Sequence, residues 1–143
     1  MKRIKPLQSL SMEHHQSLRL AKKCKDILAQ TPEEIKIFSQ QLQSNFNEQW
    51  LKHFKIEEES IFSVARKKGG EIASVCQQLE QEHHTMKNLV EKIAAGEYSL
   101  LQQFGQLLHD HTRREERELF PMVEAEFTDD ELDNILKFGN NNS

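Results

Sequence analysis

Cysteine, proline and glycine are all scarce in this chain: two, three and five among 143 residues. Two thiols, Cys24 and Cys76, cannot make the disulfide framework of a small secreted domain. An all-β domain needs many tight turns and is usually richer in glycine and proline. No apolar run approaches the roughly 18–20 residues of a membrane span. The start, Met1-Lys2-Arg3-Ile4-Lys5-Pro6, is basic, but no apolar stretch follows it as a secretory signal requires. Neither sign of charge dominates, with 19 Lys+Arg against 23 Asp+Glu and a net charge of −4. That balance argues against a phosphate-backbone partner. The expectation is a cytoplasmic protein with neither a nucleic acid nor a membrane as partner.

What is present reads as helix. Thr31-Pro32-Glu33-Glu34 is a capping box with proline at the first helical position. Lys67-Lys68-Gly69-Gly70 is a helix end, Ala95 to Ser99 a second break, and Thr128-Asp129-Asp130-Glu131 a second capping box opening a short terminal helix. The tail from Gly139 to Ser143 is expected to fray. These marks leave four long segments, 7–29, 32–67, 71–95 and 99–126. Each is rich in helix formers and carries apolar residues every three or four positions. Short links between helices of similar length predict an all-α, up-down-up-down four-helix bundle with a short C-terminal helix, as one domain over residues 1–143.

The apolar stripes break at particular places. His14 stands between Leu10 and Leu18, His53 and Glu57 between Trp50 and Ile61, His83 between Leu79 and Met86, and His111 and Glu115 between Leu108 and Leu119. Helical phase turns every break towards the core. An unpaired buried carboxylate costs several kcal/mol after relaxation, on the order of a whole side chain's burial, so the set requires a shared partner. The pattern also repeats. HFKIEEESIF from His53 matches HTRREERELF from His111, and Glu-His-His occurs at residues 13–15 and 82–84. Two helix pairs, each offering one histidine and one His-x-x-x-Glu, would place four imidazoles and two carboxylates at one centre. That exceeds the needs of one tetrahedral zinc and suits a pair of iron or manganese ions. Phase alone leaves His14 and His15 both open, because Leu18 lies four from one and three from the other; His14 is preferred. His15, His84 and His109 read as rim or surface residues. Cys24 and Cys76 read as core thiols. Only Glu57 and Glu115 of the two acidic runs are in phase with the core, so Glu58 and Glu116 read as solvated.

The arrangement H…HxxxE…H…HxxxE, with Phe120-Pro121 after the second HxxxE, resembles the hemerythrin-like family in its HHE cation-binding form. The resemblance runs from about Leu7 to Phe127. It implies His14, His53, Glu57, His83, His111 and Glu115 as metal ligands of a non-haem di-iron centre, two iron ions with oxo or carboxylate bridging, manganese or zinc being the alternatives. It also implies reaction with dioxygen, nitric oxide or peroxide. The implied partner is dioxygen or another small diatomic, held for sensing, storage or scavenging. Iron-centre repair, nitric oxide or peroxide handling, an iron store or donor, and a module with structural metal are the other readings. A metal- and gas-binding protein is favoured over a dedicated enzyme. Oxygen-carrying hemerythrins have H-x-x-x-H on the third helix, where this sequence has Lys87 four after His83. They also end the motif with an aspartate five after the last histidine, where this sequence has Glu116. The four-His, two-Glu set is similar to di-iron proteins of iron–sulfur repair, whose N-terminal cysteine-bearing domain is not in this sequence. Ser63 stands where a proline is expected after Phe62.

Overall fold

The computed structural model describes residues 3–142; Met1, Lys2 and Ser143 lie outside the described residues, and so does that part of the expectations for the two ends. The described residues form five helices and no strand. Helix α1 is Lys5–Asp26, extended by a 3₁₀ turn at Ile27–Ala29. Helix α2 spans residues 32–68, α3 is Gly70–Ala94, α4 spans residues 100–126, and α5 is Asp129–Asn142. The expected fraying of the tail is not found, because α5 continues through Asn142.

The boundaries have local causes. Thr31 accepts a hydrogen bond from the Glu34 backbone N–H at 3.2 Å and opens α2. At α5 the box is reciprocal: Glu131 N–H donates to Thr128 Oγ1 at 3.2 Å, and Thr128 N–H donates to Glu131 Oε1 at 2.9 Å. Gly69 and Gly70, at φ 73° and 70°, make the left-handed turn between α2 and α3. Arg66, Lys67 and Lys68 sit in the last turn of α2, beside its negative end.

Helix α1 packs along α4, α3 packs against both α4 and α2, and α5 lies across α1 and the middle of α2. Gly105 permits the α1–α4 approach, since a Cβ there would meet the Ala21 carbonyl oxygen at 2.8 Å. The apolar stripes gather into two separate cores. One holds Leu10, Ile61, Phe62, Leu79, Phe120 and Ile135; the other holds Phe46, Trp50, Met86, Ile93, Leu101 and Phe104. Cys24 and Cys76 fall in different cores and are free, as expected. Along α1 to α4, the ionisable interruptions fall between the two cores, so the polar layer is sealed by apolar packing at both ends.

Candidate metal centre

The structure brings all six residues expected at the centre into that layer. His14, His53, His83 and His111 are buried, and Glu57 and Glu115 are 0% and 1% exposed. His14 and not His15 faces inward; His15, His84 and Lys87 are exposed.

The four imidazoles turn Nε2 towards the carboxylates. On one side, His53 Nε2 lies 3.2 Å from Glu57 Oε2, and His14 Nε2 lies 3.5 Å from the same oxygen. On the other, His83 Nε2 lies 3.2 Å from Glu57 Oε1. Glu115 Oε1 spans the two sides, at 3.1 Å from His14 Nε2 and 3.2 Å from His111 Nε2. Two four-residue groups result: His14, His53, Glu57 and Glu115; and Glu57, His83, His111 and Glu115. In each, one ligand atom per residue lies within 4.8 Å of every other. Both carboxylates belong to both groups.

Elsewhere the helices depart from regular α geometry. Residues 58–62 and 115–119 are π-helical, as is Phe46–Trp50 ahead of His53. The wider i→i+5 turn carries the residue five after Glu57 and five after Glu115 back towards the centre. Phe62 and Phe120 are those residues. Phe62 stacks on His83 at 5.4 Å between ring centroids, and Phe120 stacks on His14 at 5.4 Å. A 3.6-residue period turns a position five on away from the face, so sequence phase did not assign these phenylalanines to the site.

One expectation is corrected. Glu58 and Glu116 are not simply solvated: His83 Nδ1 lies 2.7 Å from Glu58 Oε2, and His14 Nδ1 lies 2.6 Å from Glu116 Oε2. Glu82 Oε1 takes His111 Nδ1 at 2.8 Å, and Glu13 Oε1 stands 3.4 Å from His53 Nδ1. Each of these glutamates is next in sequence to a residue of the centre. A residue 100° off the inward face sits at the seam with a neighbouring helix, within reach of that neighbour's histidine. The signal was present in the repeated Glu-His and Glu-Glu pairs. Such carboxylates fix which nitrogen carries the proton and raise the basicity of the opposite nitrogen. Glu116 is itself held by Ser11 Oγ at 2.8 Å and Arg3 Nε at 3.3 Å.

Whether a cation fits is decided by the oxygens. Glu57 Oε1 and Oε2 and Glu115 Oε2 are buried without a hydrogen-bond partner. The nearby nitrogens are close but poorly aligned for hydrogen bonding, because donor atoms of both types aim at the space between them. Buried carboxylate oxygens in that state require a positive partner. Four neutral nitrogen donors and two carboxylates are a set that first-row transition metals accept.

Residues 5–123 match the family model of the hemerythrin HHE cation-binding domain. The chain belongs to that family. No curated protein and no solved structure matches it. Members of the HHE family bind metal cations, and the buried His/Glu groups of this domain are able to hold one.

Without metal, the HHE centre keeps its charge balance with protons. Burial alone would lower the His53 pKa, but the Glu57 charge, with the pull of Glu13, overrides it and raises the value to about 9. His111 is likewise pulled down by burial and pushed up further by Glu115 and Glu82, to about 9. His14 is raised by Glu115 and Glu116 against the same burial effect. Burial would raise the Glu57 carboxyl, but the charge of His53 beside it holds it well below the usual range. The raised imidazoles thus offset the charge of the two buried carboxylates, and a cation taking their place would displace those protons.

Proposed function

We propose that this protein is a non-haem di-iron protein that binds or reacts with dioxygen or a related small diatomic, acting in sensing, storage or scavenging. The observation that carries the reading is the sharing of Glu57 and Glu115 between two otherwise separate donor groups. A single-ion site has no use for that duplication. In this reading His14 and His53 hold one ion, His83 and His111 hold the other, and the two glutamates serve both. The helices α1 to α4 act as an up-down-up-down four-helix bundle that presents one inward donor level per helix.

When bound, a pair of iron ions supplies one-electron redox chemistry and coordination positions open to a small molecule. The chain's own residues do the rest. The Nδ1–H groups of His14, His83 and His111 donate to Glu116, Glu58 and Glu82 and keep their Nε2 lone pairs pointed inward. Phe54, whose ring lies 3.8 Å from His83 at an interplanar angle of 10°, joins Phe62 and Phe120 in limiting water.

The test is metal analysis of the purified protein with visible spectra of its reduced form before and after admitting air. Two iron ions per chain and an absorption change on oxygenation support the reading. Zinc alone, with no spectral change after iron loading, would refute it and favour a structural metal.

A further inference from the structure

The two donor groups are related by the sequence repeat, yet their supports differ at one histidine. His111 and His53 occupy equivalent places, each heading a His-x-x-x-Glu. The Nδ1 of His111 has Glu82 at 2.8 Å. The Nδ1 of His53 has its equivalent, Glu13, at 3.4 Å, out of alignment, and is buried with no hydrogen-bond partner. The other two imidazoles have carboxylates at 2.6 and 2.7 Å. His53 is thus the one member of the four without an anchored outer nitrogen.

Two more differences fall on the same side. A cavity of about 480 Å³, bounded by α1, α2 and α5, reaches His53 from outside, with Glu13, Lys52 and Ile135 among its walls. On the opposite side Phe54 lies flat on His83. Its equivalent after His111 is Thr112, which has no ring to place over His14.

We infer that the two metal positions are graded: the His83–His111 position fills first and holds its ion, and the His14–His53 position is the exchangeable one, loaded and emptied past the cavity under α5. This rests on the two-ion reading above. The physical basis is that a ligating imidazole whose outer N–H is anchored keeps its orientation and is the better donor. Losing such an anchor typically weakens metal binding about 10–100-fold. Here the loss is built into one position and absent from the other.

The test uses cobalt(II) added anaerobically to metal-free protein, followed by visible absorption and then by transfer to an excess of chelator. Two equivalents should bind in two steps separated by about tenfold or more, and one should leave much faster than the other. His53→Ala should keep the first step and lose the second, and His111→Ala should lose the first. Because a core histidine variant can fail to fold, Glu82→Ala and Glu13→Ala provide the second measurement. Glu82→Ala should weaken the first step and bring the two together, while Glu13→Ala should leave the separation intact. Two equivalents bound with one affinity and one release rate would overturn the grading and leave the two-ion reading standing. Equal weakening by Glu82→Ala and Glu13→Ala would also overturn it. Saturation at one equivalent in the unaltered protein would overturn the two-ion reading itself.

Discussion

Raising the pH should destabilise the metal-free protein and leave the metal-loaded protein nearly unchanged. In the folded metal-free state His53 and His111 each have a pKa of about 9, against 6.5 for a free histidine. A group raised in this way stabilises the fold fully below the unfolded value, and the contribution is lost as pH climbs through the folded one. The window therefore runs from about pH 6.5 to about pH 9. At roughly 1.4 kcal/mol per pKa unit, each proton contributes on the order of 3 kcal/mol, and the two together roughly 6–7 kcal/mol. Both groups are buried, so solvent screening removes little of this. A total stability of about 5–15 kcal/mol makes that a large share. At about 3 °C per kcal/mol for a domain of this size, the metal-free Tm should fall by roughly 15–20 °C across the window. On the acid side the lowered Glu57 carboxyl works in the opposite sense. Its contribution is present above its ordinary value of 4.5 and is lost as pH falls through the depressed folded value. Metal-free stability should thus peak between about pH 5 and 6.5. Thermal melts by circular dichroism, with and without ferrous iron under anaerobic conditions, measure this directly. Calorimetry in buffers of different ionisation enthalpy should also show about two or more protons released per loaded chain near neutral pH. A metal-free Tm that is flat or rises over the alkaline window would refute the proton-for-cation argument.

Glu57→Ala or Glu115→Ala should abolish binding of at least one ion, because each carboxylate serves both donor groups; metal content after dialysis reads this, and two retained ions would contradict it. Glu116→Ala should weaken metal binding about tenfold by freeing His14, the opposite of what a solvated residue would do, and equilibrium competition with a chelator measures it. Gly105→Ala should lower stability by roughly 1–3 kcal/mol, since the new Cβ meets the Ala21 carbonyl of α1; an unchanged urea midpoint would show that the α1–α4 contact is looser than described. Lys87 replaces the histidine expected of oxygen carriers, and a charged ammonium has no lone pair to offer a metal. Cycling reduced iron-loaded protein between oxygen and vacuum should therefore leave iron oxidised, and Lys87→His should improve recovery. Clean recovery by the unaltered protein over many cycles would argue for reversible carriage.

Much of the helical pattern was legible in the chain. The N-cap at Thr31, the capping box at Thr128 and the Gly69–Gly70 turn are local features, governed by residues a few positions apart, and the structure has them where the pattern placed them. The six interruptions of the apolar stripes were legible for a similar reason, since each lies on a stripe whose phase its neighbours set. The misplaced features were those in which phase is not conserved or distance is not local. Phe62 and Phe120 reach the imidazoles only because π turns shift the register after Glu57 and Glu115. The tail after Gly139 was assigned to fraying on composition, yet it stays helical because α5 is seated on α1 and α2 through Ile135.

Which residues could converge is already written in the chain: a repeated His and His-x-x-x-Glu on apolar faces can be buried only if the faces meet. Helical periodicity also separated Glu57 and Glu115 from the charged residues around them, while the choice of His14 over His15 came from the packed structure. How those groups are supported depends on the packed helices. Glu116 and His14 are 102 positions apart, as Arg3 and Glu116 are 113 apart, and no periodicity links them. A glutamate 100° off the inward face is solvated or anchoring according to whether a neighbouring helix brings an imidazole to it. That depends on helix spacing and rotation, which are set by packing of the two cores. The same packing leaves Glu13 out of line with His53 at 3.4 Å while Glu82 meets His111 at 2.8 Å, a difference of 0.6 Å between identical Glu-His pairs.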